Sequence, residues 1–238
     1  MTTTLAIIRK ELVVYFKSPM AYIVAGVFLA LTGVFFIDSI DTTFAVAEVR
    51  GLLLRSTFFL LPLIPPLLTM RLLAEEQKMG TLELLLTAPV RDYEVVLGKF
   101  VASFIILSVT MLLTLFYVLI LSIYSNPDLG PIFSGYVGFL LCGGATISIG
   151  LLASSLSGNQ LVAAAVGFGV ILLFNVIDQI TTIVGGSVAK VLEAVSLTGH
   201  FDSFARGVID TGDIVYYLLV MAFFLFLTIR SLESRRWR

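Results

Sequence analysis

Few side chains in this sequence could do chemistry, and they are scattered along the chain. Two adjacent glutamates, Glu75 and Glu76, could act as paired carboxylates in acid–base catalysis. His200 is the only histidine, and Cys142, the only cysteine, lies in an apolar segment. A single cysteine forms no intramolecular disulfide, and neither residue supplies the several ligands that a zinc site needs. The sequence therefore favours a packing role for Cys142 and a structural role for His200.

The motifs of several enzyme classes are absent from the sequence. There is no G-x-x-x-x-G-K-[ST] phosphate loop, no G-x-S-x-G elbow and no H-E-x-x-H pair. The glutamates of "EEQK" (Glu75–Lys78) are similar to those of intramembrane prenyl-end proteases, which also need arginine and several histidines on other spans. We therefore expect this chain to have no catalytic residues, no metal and no cofactor of its own.

The composition is that of a membrane protein. Hydrophobic residues make up 58% of the 238 residues and charged residues 13%, and the mean hydropathy is +1.05. A soluble domain would carry about a quarter charged residues. The net charge of −1 gives no electrostatic surface for nucleic acid. We predict an all-α polytopic membrane protein that forms a single transmembrane domain over residues 1–238.

Six apolar segments are long enough to cross a bilayer, which takes about 20 residues of helix. They are Pro19–Ile37, Leu52–Met70, Val95–Tyr124, Ile132–Leu156, Leu161–Ile177 and Ile214–Ile229. The second contains Pro62, Pro65 and Pro66, so a kink or a broken helix is expected there. Paired small residues, Gly144 with Ser148 and Ala163 with Gly167, have the spacing that lets helices pack closely.

The lysines and arginines predict the orientation, because cytoplasmic loops carry the excess of these residues. With six spans both termini lie on one side, and that side receives eleven of the 15 basic residues. They are Arg9, Lys10, Lys17, Arg71, Lys78, Arg91, Lys99, Arg230, Arg235, Arg236 and Arg238. Both termini are therefore predicted to be cytoplasmic.

The N-terminal segment, residues 1–18, has the pattern of an amphipathic helix. Leu5, Ile8, Leu12, Tyr15 and Phe16 share one face, with lysines on another. Such a helix lies in the membrane plane with its lysines toward anionic headgroups. The same pattern also fits a solvated start of the first span.

The connector at residues 71–92 is predicted to be cytoplasmic. The second span's helix is expected to continue through Arg71–Lys78, where Arg71 and Glu75 can pair at i, i+4. Gly80 should break this helix, and Pro89 should end a short apolar helix that follows it. The connector is either an interfacial loop on the headgroups or a docking surface for a cytoplasmic partner.

Residues 178–213 are predicted to lie on the extracytoplasmic side and to enter the outer half of the bundle without crossing it. Asn175, Asp178 and Gln179 form a polar stripe at the outer end of the fifth span. They either face a cavity, as pathway or outer-gate residues, or cap that helix.

Four blocks of the sequence resemble the permease subunits of type-two ABC exporters, and more narrowly the gliding-motility-associated GldF-type permeases. These blocks are "KELVVYFKSPMAYI", "MRLLAEEQKMGTLELLLTAPVRDYEVVLGKF", "HFDSFARGVIDTGDIVYY" and "LESRRW". The resemblance implies a permease domain with a cytoplasmic coupling helix after the second span, and a separate ATPase subunit that binds ATP and Mg²⁺. It also implies a bacterial cytoplasmic membrane, a second permease copy or related permease, and an extracytoplasmic partner in some relatives.

By position, the resemblance places ATPase docking on a set of residues around the connector. They are Ala74, Glu75, Glu76, Gly80, Thr81, Glu83 and Leu84. Gln77 departs from relatives that often have a basic residue there. The expected function is movement of a substrate driven by ATP hydrolysis on the partner; the alternative is a mechanotransmitter that acts on an outer partner. A channel is disfavoured because no span carries a polar stripe along its length.

Overall fold

The computed structural model describes residues 2–40, 49–81, 90–124, 127–181 and 192–236. Every regular element in these ranges is a helix. They are α1 (Thr2–Lys17), α2 (Pro19–Ile40), α3 (Val49–Thr69), α4 (Ala74–Lys78), α5 (Asp92–Leu113), α6 (Leu115–Tyr124), α7 (Leu129–Leu156), α8 (Gln160–Thr181), α9 (Phe201–Ala205) and α10 (Thr211–Arg236). The predicted all-α fold is confirmed.

Six helical segments are long and apolar enough to span a membrane, as predicted. They run over Pro19–Asp38, Arg50–Lys78, Asp92–Tyr124, Leu129–Leu156, Gln160–Ile180 and Thr211–Ser234. Most extend a few residues beyond the predicted limits because polar residues join the helix ends outside the hydrocarbon. The third consists of two helices, α5 and α6, which meet at a turn at Thr114. The chain is a multi-pass membrane protein.

The central helix is α7, which packs against α3, α5, α8, α9 and α10. About four fifths of its span is buried, against about one fifth of α8 and α10. Glycines make this crowding possible: a Cβ on Gly138 would lie 2.6 Å from the Cβ of Phe204, and one on Gly143 would lie 2.5 Å from Leu107 Cδ2. Side chains from α9 and α5 thus occupy the space that larger residues would fill.

The small residues predicted to allow close packing do meet neighbouring helices. A Cβ on Gly144 would lie 2.7 Å from Met221 Sδ on α10. One on Gly167 would lie 3.5 Å from the Cα of Gly150, which is close to backbone contact between α7 and α8.

The sequence predicts a kink or a broken helix at the prolines, and the break does not occur, since α3 is continuous through Pro62, Pro65 and Pro66. Proline has no N–H, so Pro62 leaves the carbonyl of Phe58 without its usual helical partner. Asn175, buried on α8, donates its side-chain N–H to that carbonyl at 3.3 Å. A neighbouring helix thus replaces the lost hydrogen bond, as happens in other membrane helices that contain proline.

Helix α1 is separate from α2, with Ser18 between them, and it packs along α5. The Tyr15 hydroxyl donates to the Leu68 carbonyl at 2.8 Å and lies 3.1 Å from Ser103 Oγ. Burial raises the pKa of Tyr15, so the hydroxyl stays protonated as a donor. The predicted apolar face of α1 is divided: Tyr15 is buried, whereas Leu5 and Phe16 are 68% and 54% exposed.

At the opposite end of the bundle, the five-residue helix α9 packs on α7 and is too short to cross a membrane. Phe201 and Phe204 are buried, and Ser134 donates a hydrogen bond to the Phe204 carbonyl at 2.7 Å. His200 Nδ1 lies 2.8 Å from the Ser196 carbonyl, and its ring stacks on Tyr216 with 3.8 Å between centroids. These contacts give His200 a structural role.

Candidate functional site

The polar connector after α3 begins with a break in the helix that the sequence did not predict. α3 ends at Thr69, residues 70–73 form a turn, and α4 begins at Ala74. Ser154 of α7 fills this break: its hydroxyl oxygen accepts hydrogen bonds from the N–H groups of Leu73 and Ala74, both at 3.1 Å. The same hydroxyl donates to the Met70 carbonyl at 3.2 Å. A single serine therefore holds the backbone of the turn against the central helix.

Gln77 makes a second connection between α4 and α7. Its Nε2 donates to the Ser155 carbonyl at 2.8 Å, in the last turn of α7. Carbonyls at a helix C-terminus have no partner within the helix, so this contact satisfies one of them. Gln77 is thus directed at α7. We refer to residues 70–81, fixed in this way, as the stalk.

Ser154→Ala should lower the free energy of unfolding by about 2 kcal/mol, because two buried backbone N–H groups lose their acceptor. The measurement is the thermal midpoint of the purified chain in detergent. Ser148→Ala is the matched control, since Ser148 is equally buried on α7 but donates to the Ala145 carbonyl of its own helix. Equal midpoints for the two variants would contradict the assigned role of Ser154.

A buried lysine connects the stalk to two further helices. Lys99 of α5 is 1% exposed, and its Nζ lies 2.9 Å from Glu11 Oε1 of α1 and 2.8 Å from Glu76 Oε1 of α4. Lys10 Nζ, more exposed, lies 3.4 Å from the same oxygen of Glu76. Buried charges need such partners, because an isolated one costs far more free energy. We call Glu11, Glu76 and Lys99 the ion triad.

The triad as a unit is not among the predicted sites. From the sequence, Lys99 contributes only to the count of cytoplasmic charges, and Glu11 has no predicted role. Lys99 does stand within a run of apolar residues, from Val95 to Ala102. It lies more than one turn after the start of a long helix. A lone ionisable residue in that position predicts an inward-facing, paired side chain, and this signal could have identified it.

The structure separates the predicted docking residues into buried and exposed positions. Ala74 is fully buried, and Glu76 is directed into the triad with a side chain 16% exposed. Glu75 is half-buried and pairs with Arg71 at 3.2 Å, as the i, i+4 spacing predicted. Gly80 and Thr81 are exposed at the end of the stalk. Glu83 and Leu84, with the short helix predicted there, lie outside the described residues.

Gly80 changes the direction of the chain as predicted. Its φ of +68° lies in the left-handed region, which glycine adopts without strain. Thr81 donates its hydroxyl to the Glu76 carbonyl at 3.3 Å and so caps the C-terminal end of α4. The tip of the stalk at Met79, Gly80 and Thr81 is therefore exposed but held by local hydrogen bonds.

A cavity of about 490 Å³ lies between α1, the stalk and α5. Apolar side chains line part of it, among them Val14, Tyr15 and Leu72. Lys10, Glu11, Arg71, Glu75, Glu76 and Lys99 supply its charged lining. Volume and lining are within the range of small-molecule sites in proteins.

The predicted pathway residues have two different environments. Asn175 is 2% exposed and holds the Phe58 carbonyl, so it serves helix packing. Asp178 and Gln179 line a second cavity, of about 460 Å³, at the end of the bundle opposite the stalk. Thr57, Glu193 and Asp202 also line it. Of the two alternatives for the stripe, a cavity-facing position fits Asp178 and Gln179.

Among the described residues, no group of three or more histidine, cysteine or acidic side chains is arranged to hold a metal ion. The stalk is fixed to α7 by Ser154 and Gln77, and to α1 and α5 by the triad.

Comparison with known proteins supplies the class. Residues 5–230 match a protein family described as "ABC-2 family transporter protein". No curated protein matched the sequence significantly.

Proposed function

This chain belongs to the ABC-2 family of transporter proteins as the membrane subunit of an ABC transporter, and from that premise we propose an ATP-driven exporter permease. The ATPase, with its ATP and Mg²⁺, is a separate subunit that docks at the tip of the stalk. Both termini and the stalk face the cytoplasm of a bacterium, with the chain in its inner membrane. Two permeases, either identical or related, pair about an axis normal to the membrane.

The observation that carries this proposal is the attachment of the stalk to three helices at once. Its tip is exposed, with Met79 67% accessible. The rest of the stalk is held by buried or part-buried contacts with Ser154, Ser155 and Lys99. A displacement at the tip must therefore move α1, α5 and α7 together. Rigid-body movement of packed helices is one of the ways in which proteins switch between states.

The exposure of the stalk residues supports a docking surface with fewer residues than the seven that the resemblance implied. Glu75, Gly80 and Thr81 are the accessible members of the set, and Met79 is an added candidate. Glu83 and Leu84 remain proposed contacts. Ala74 and Glu76 support the stalk from within, so their effect on docking would be indirect.

Met79→Arg is expected to reduce stimulation of the partner ATPase at least tenfold, because a charge at the tip removes an apolar contact from the interface. The measurement is ATP hydrolysis by the reconstituted complex, together with co-purification of the ATPase. An ATPase subunit encoded next to the gene for this chain is the one to use.

Val208→Arg is the matched control for this experiment. Val208 is 56% exposed at the opposite end of the bundle, so the variant adds the same charge to a surface of similar exposure. If Met79→Arg and Val208→Arg stimulate ATPase equally, the stalk tip is not the docking site.

A second function, mechanotransmission of the GldF type, is favoured by one observation. The helix that holds the stalk at Ser154 and Ser155 also holds α9 at its other end, through Ser134 and the close contact of Gly138 with Phe204. Movement of α7 would therefore reach the outer region directly. In that case an outer partner, and no solute, should stimulate the ATPase of the complex in sealed vesicles. Stimulation by a solute alone would instead support export.

A further inference from the structure

The cavity between α1, the stalk and α5 lies beside the ends of two apolar helices, α2 and α3. Ser18 is the last residue before the apolar helix α2, and Arg71 follows the apolar end of α3. Their side chains are joined, with Arg71 donating to Ser18 Oγ at 2.6 Å. Both residues line the cavity. The polar ends of two spans therefore meet at its wall, where hydrocarbon gives way to headgroups.

The charges around the cavity are balanced. Lys10, Arg71 and Lys99 face Glu11, Glu75 and Glu76, so the lining carries three formal charges of each sign. A site without net charge gives no preference for a strongly anionic ligand such as a nucleotide. It suits a zwitterion, whose two charges can each find an opposite partner.

One oxygen of Glu76, a residue of the cavity wall, has no hydrogen-bond partner among the described residues. Glu76 Oε1 accepts from both Lys10 and Lys99. Glu76 Oε2 is buried and accepts no hydrogen bond from the residues that the structure describes. A buried carboxylate oxygen in this state costs free energy until it meets an N–H or O–H donor.

Arg71 offers the complementary group. Its Nε donates to Glu75 and its Nη1 to Ser18. Arginine has five N–H groups, so the other donors of the guanidinium have no partner among the described residues. Guanidinium groups bind phosphate well. Lys10, 60% exposed, adds a second cation at the mouth of the cavity.

We propose that this cavity binds the headgroup of a phospholipid that carries both a phosphate and a primary amine, as phosphatidylethanolamine does. The phosphate lies against Arg71 and Lys10, and the glycerol and first acyl carbons pack on Val14 and Leu72. The Glu76 carboxylate rotates so that Oε2, otherwise buried, accepts a hydrogen bond from the ammonium. The bound lipid would connect α1 to the stalk beside the ion triad. Its local abundance would then affect how firmly the stalk is held.

The test compares two lipids that differ only at the amine. Phosphatidylethanolamine has three N–H donors, whereas the trimethylated amine of phosphatidylcholine has none. The full chain in detergent is titrated with each lipid, and bound lipid is counted by native mass spectrometry. A charge-assisted hydrogen bond that one lipid makes and the other does not should give about a tenfold preference for phosphatidylethanolamine.

Two variants probe the two ends of the headgroup. Glu76→Gln should remove the preference between the lipids, since the charged acceptor is lost; Arg71→Gln should weaken binding of both lipids. The Glu76→Gln readout compares two lipids on the same variant, so a general loss of stability does not imitate it; the Arg71→Gln readout needs a control variant of similar charge loss. Arg206→Gln is the matched control: Arg206 also pairs with a carboxylate one turn away, Asp202, but at the opposite end of the bundle.

Equal binding of the two lipids by the unmodified chain would overturn the proposal. So would a preference that survives Glu76→Gln, because the lipid would then bind elsewhere. A photo-crosslinking amino acid at Val14, on the cavity wall, gives an independent result in the assembled complex. A lipid adduct supports the proposal, and an adduct with the ATPase subunit would assign the cavity to that partner instead. Neither result depends on ATPase stimulation, so the docking proposal can fail separately.

Discussion

Replacing Lys99 by methionine is expected to lower the free energy of unfolding by about 3–5 kcal/mol, the usual cost of removing one partner from a buried ion pair. Among the described residues, Lys99 is the cation that lies within 3 Å of both Glu11 and Glu76. Without it, two carboxylates from α1 and α4 face each other in a poorly solvated site. Their repulsion and lost hydration should separate α1 from the stalk.

The measurement is the thermal midpoint by size-exclusion chromatography of heated samples. Lys78→Met is the matched control, because Lys78 lies on the same stalk but is exposed, and its loss should cost little. Adding Glu11→Gln to Lys99→Met should recover part of the stability, since one of the two carboxylates that lose Lys99 then carries no charge. If Lys99→Met and the unmodified chain have the same thermal midpoint, the triad contributes nothing to the stability of the fold.

Replacing Gly138 by leucine should destabilise the bundle by about 3 kcal/mol, toward the upper end of the range for overpacking a core. Even a Cβ at this position would lie 2.6 Å from both Cβ and Cγ of Phe204. Because the Cβ of Phe204 is fixed by the backbone, no change of rotamer relieves this contact. The helix α9 would have to leave its place on α7.

Gly26→Leu is the control. A Cβ on Gly26 of α2 would meet no atom within 4 Å, so this position accepts a larger side chain. Phe204→Ala tests the cause, because it removes Cγ and the ring of Phe204 but keeps Cβ. In the Gly138→Leu background it should cost less than it does alone, since it vacates part of the space that leucine needs. Strict additivity of the two changes would show that the Phe204 ring is not the obstacle.

Several features of this protein follow from local rules and were therefore predictable. The spans are visible because hydrocarbon requires about 20 apolar residues per helix, whatever the neighbours are. The Arg71–Glu75 pair follows from i, i+4 geometry on one helix, and the turn at Gly80 from the freedom of glycine at positive φ. Each depends only on residues a few positions apart.

The features that the sequence did not predict depend on partners far along the chain. The continuity of α3 through Pro62 requires Asn175, a residue of α8, to take the free carbonyl of Phe58. The turn after Thr69 is held by Ser154, about 80 residues away. The residues next to Pro62 and Ser154 in the sequence do not indicate that these distant partners exist.

The sequence by itself determined the membrane class, the six spans and the position of the stalk, because transfer of a segment into lipid depends on that segment's own composition. Only the tertiary structure decided which charges face the stalk's interior. Lys99 pairs with residues 88 and 23 positions away, and Glu76 faces inward while Glu75, its neighbour, stays with Arg71 at the surface. The physical reason is that a buried charge is stable only where several helices bring its partners together, and that arrangement exists only in the folded bundle.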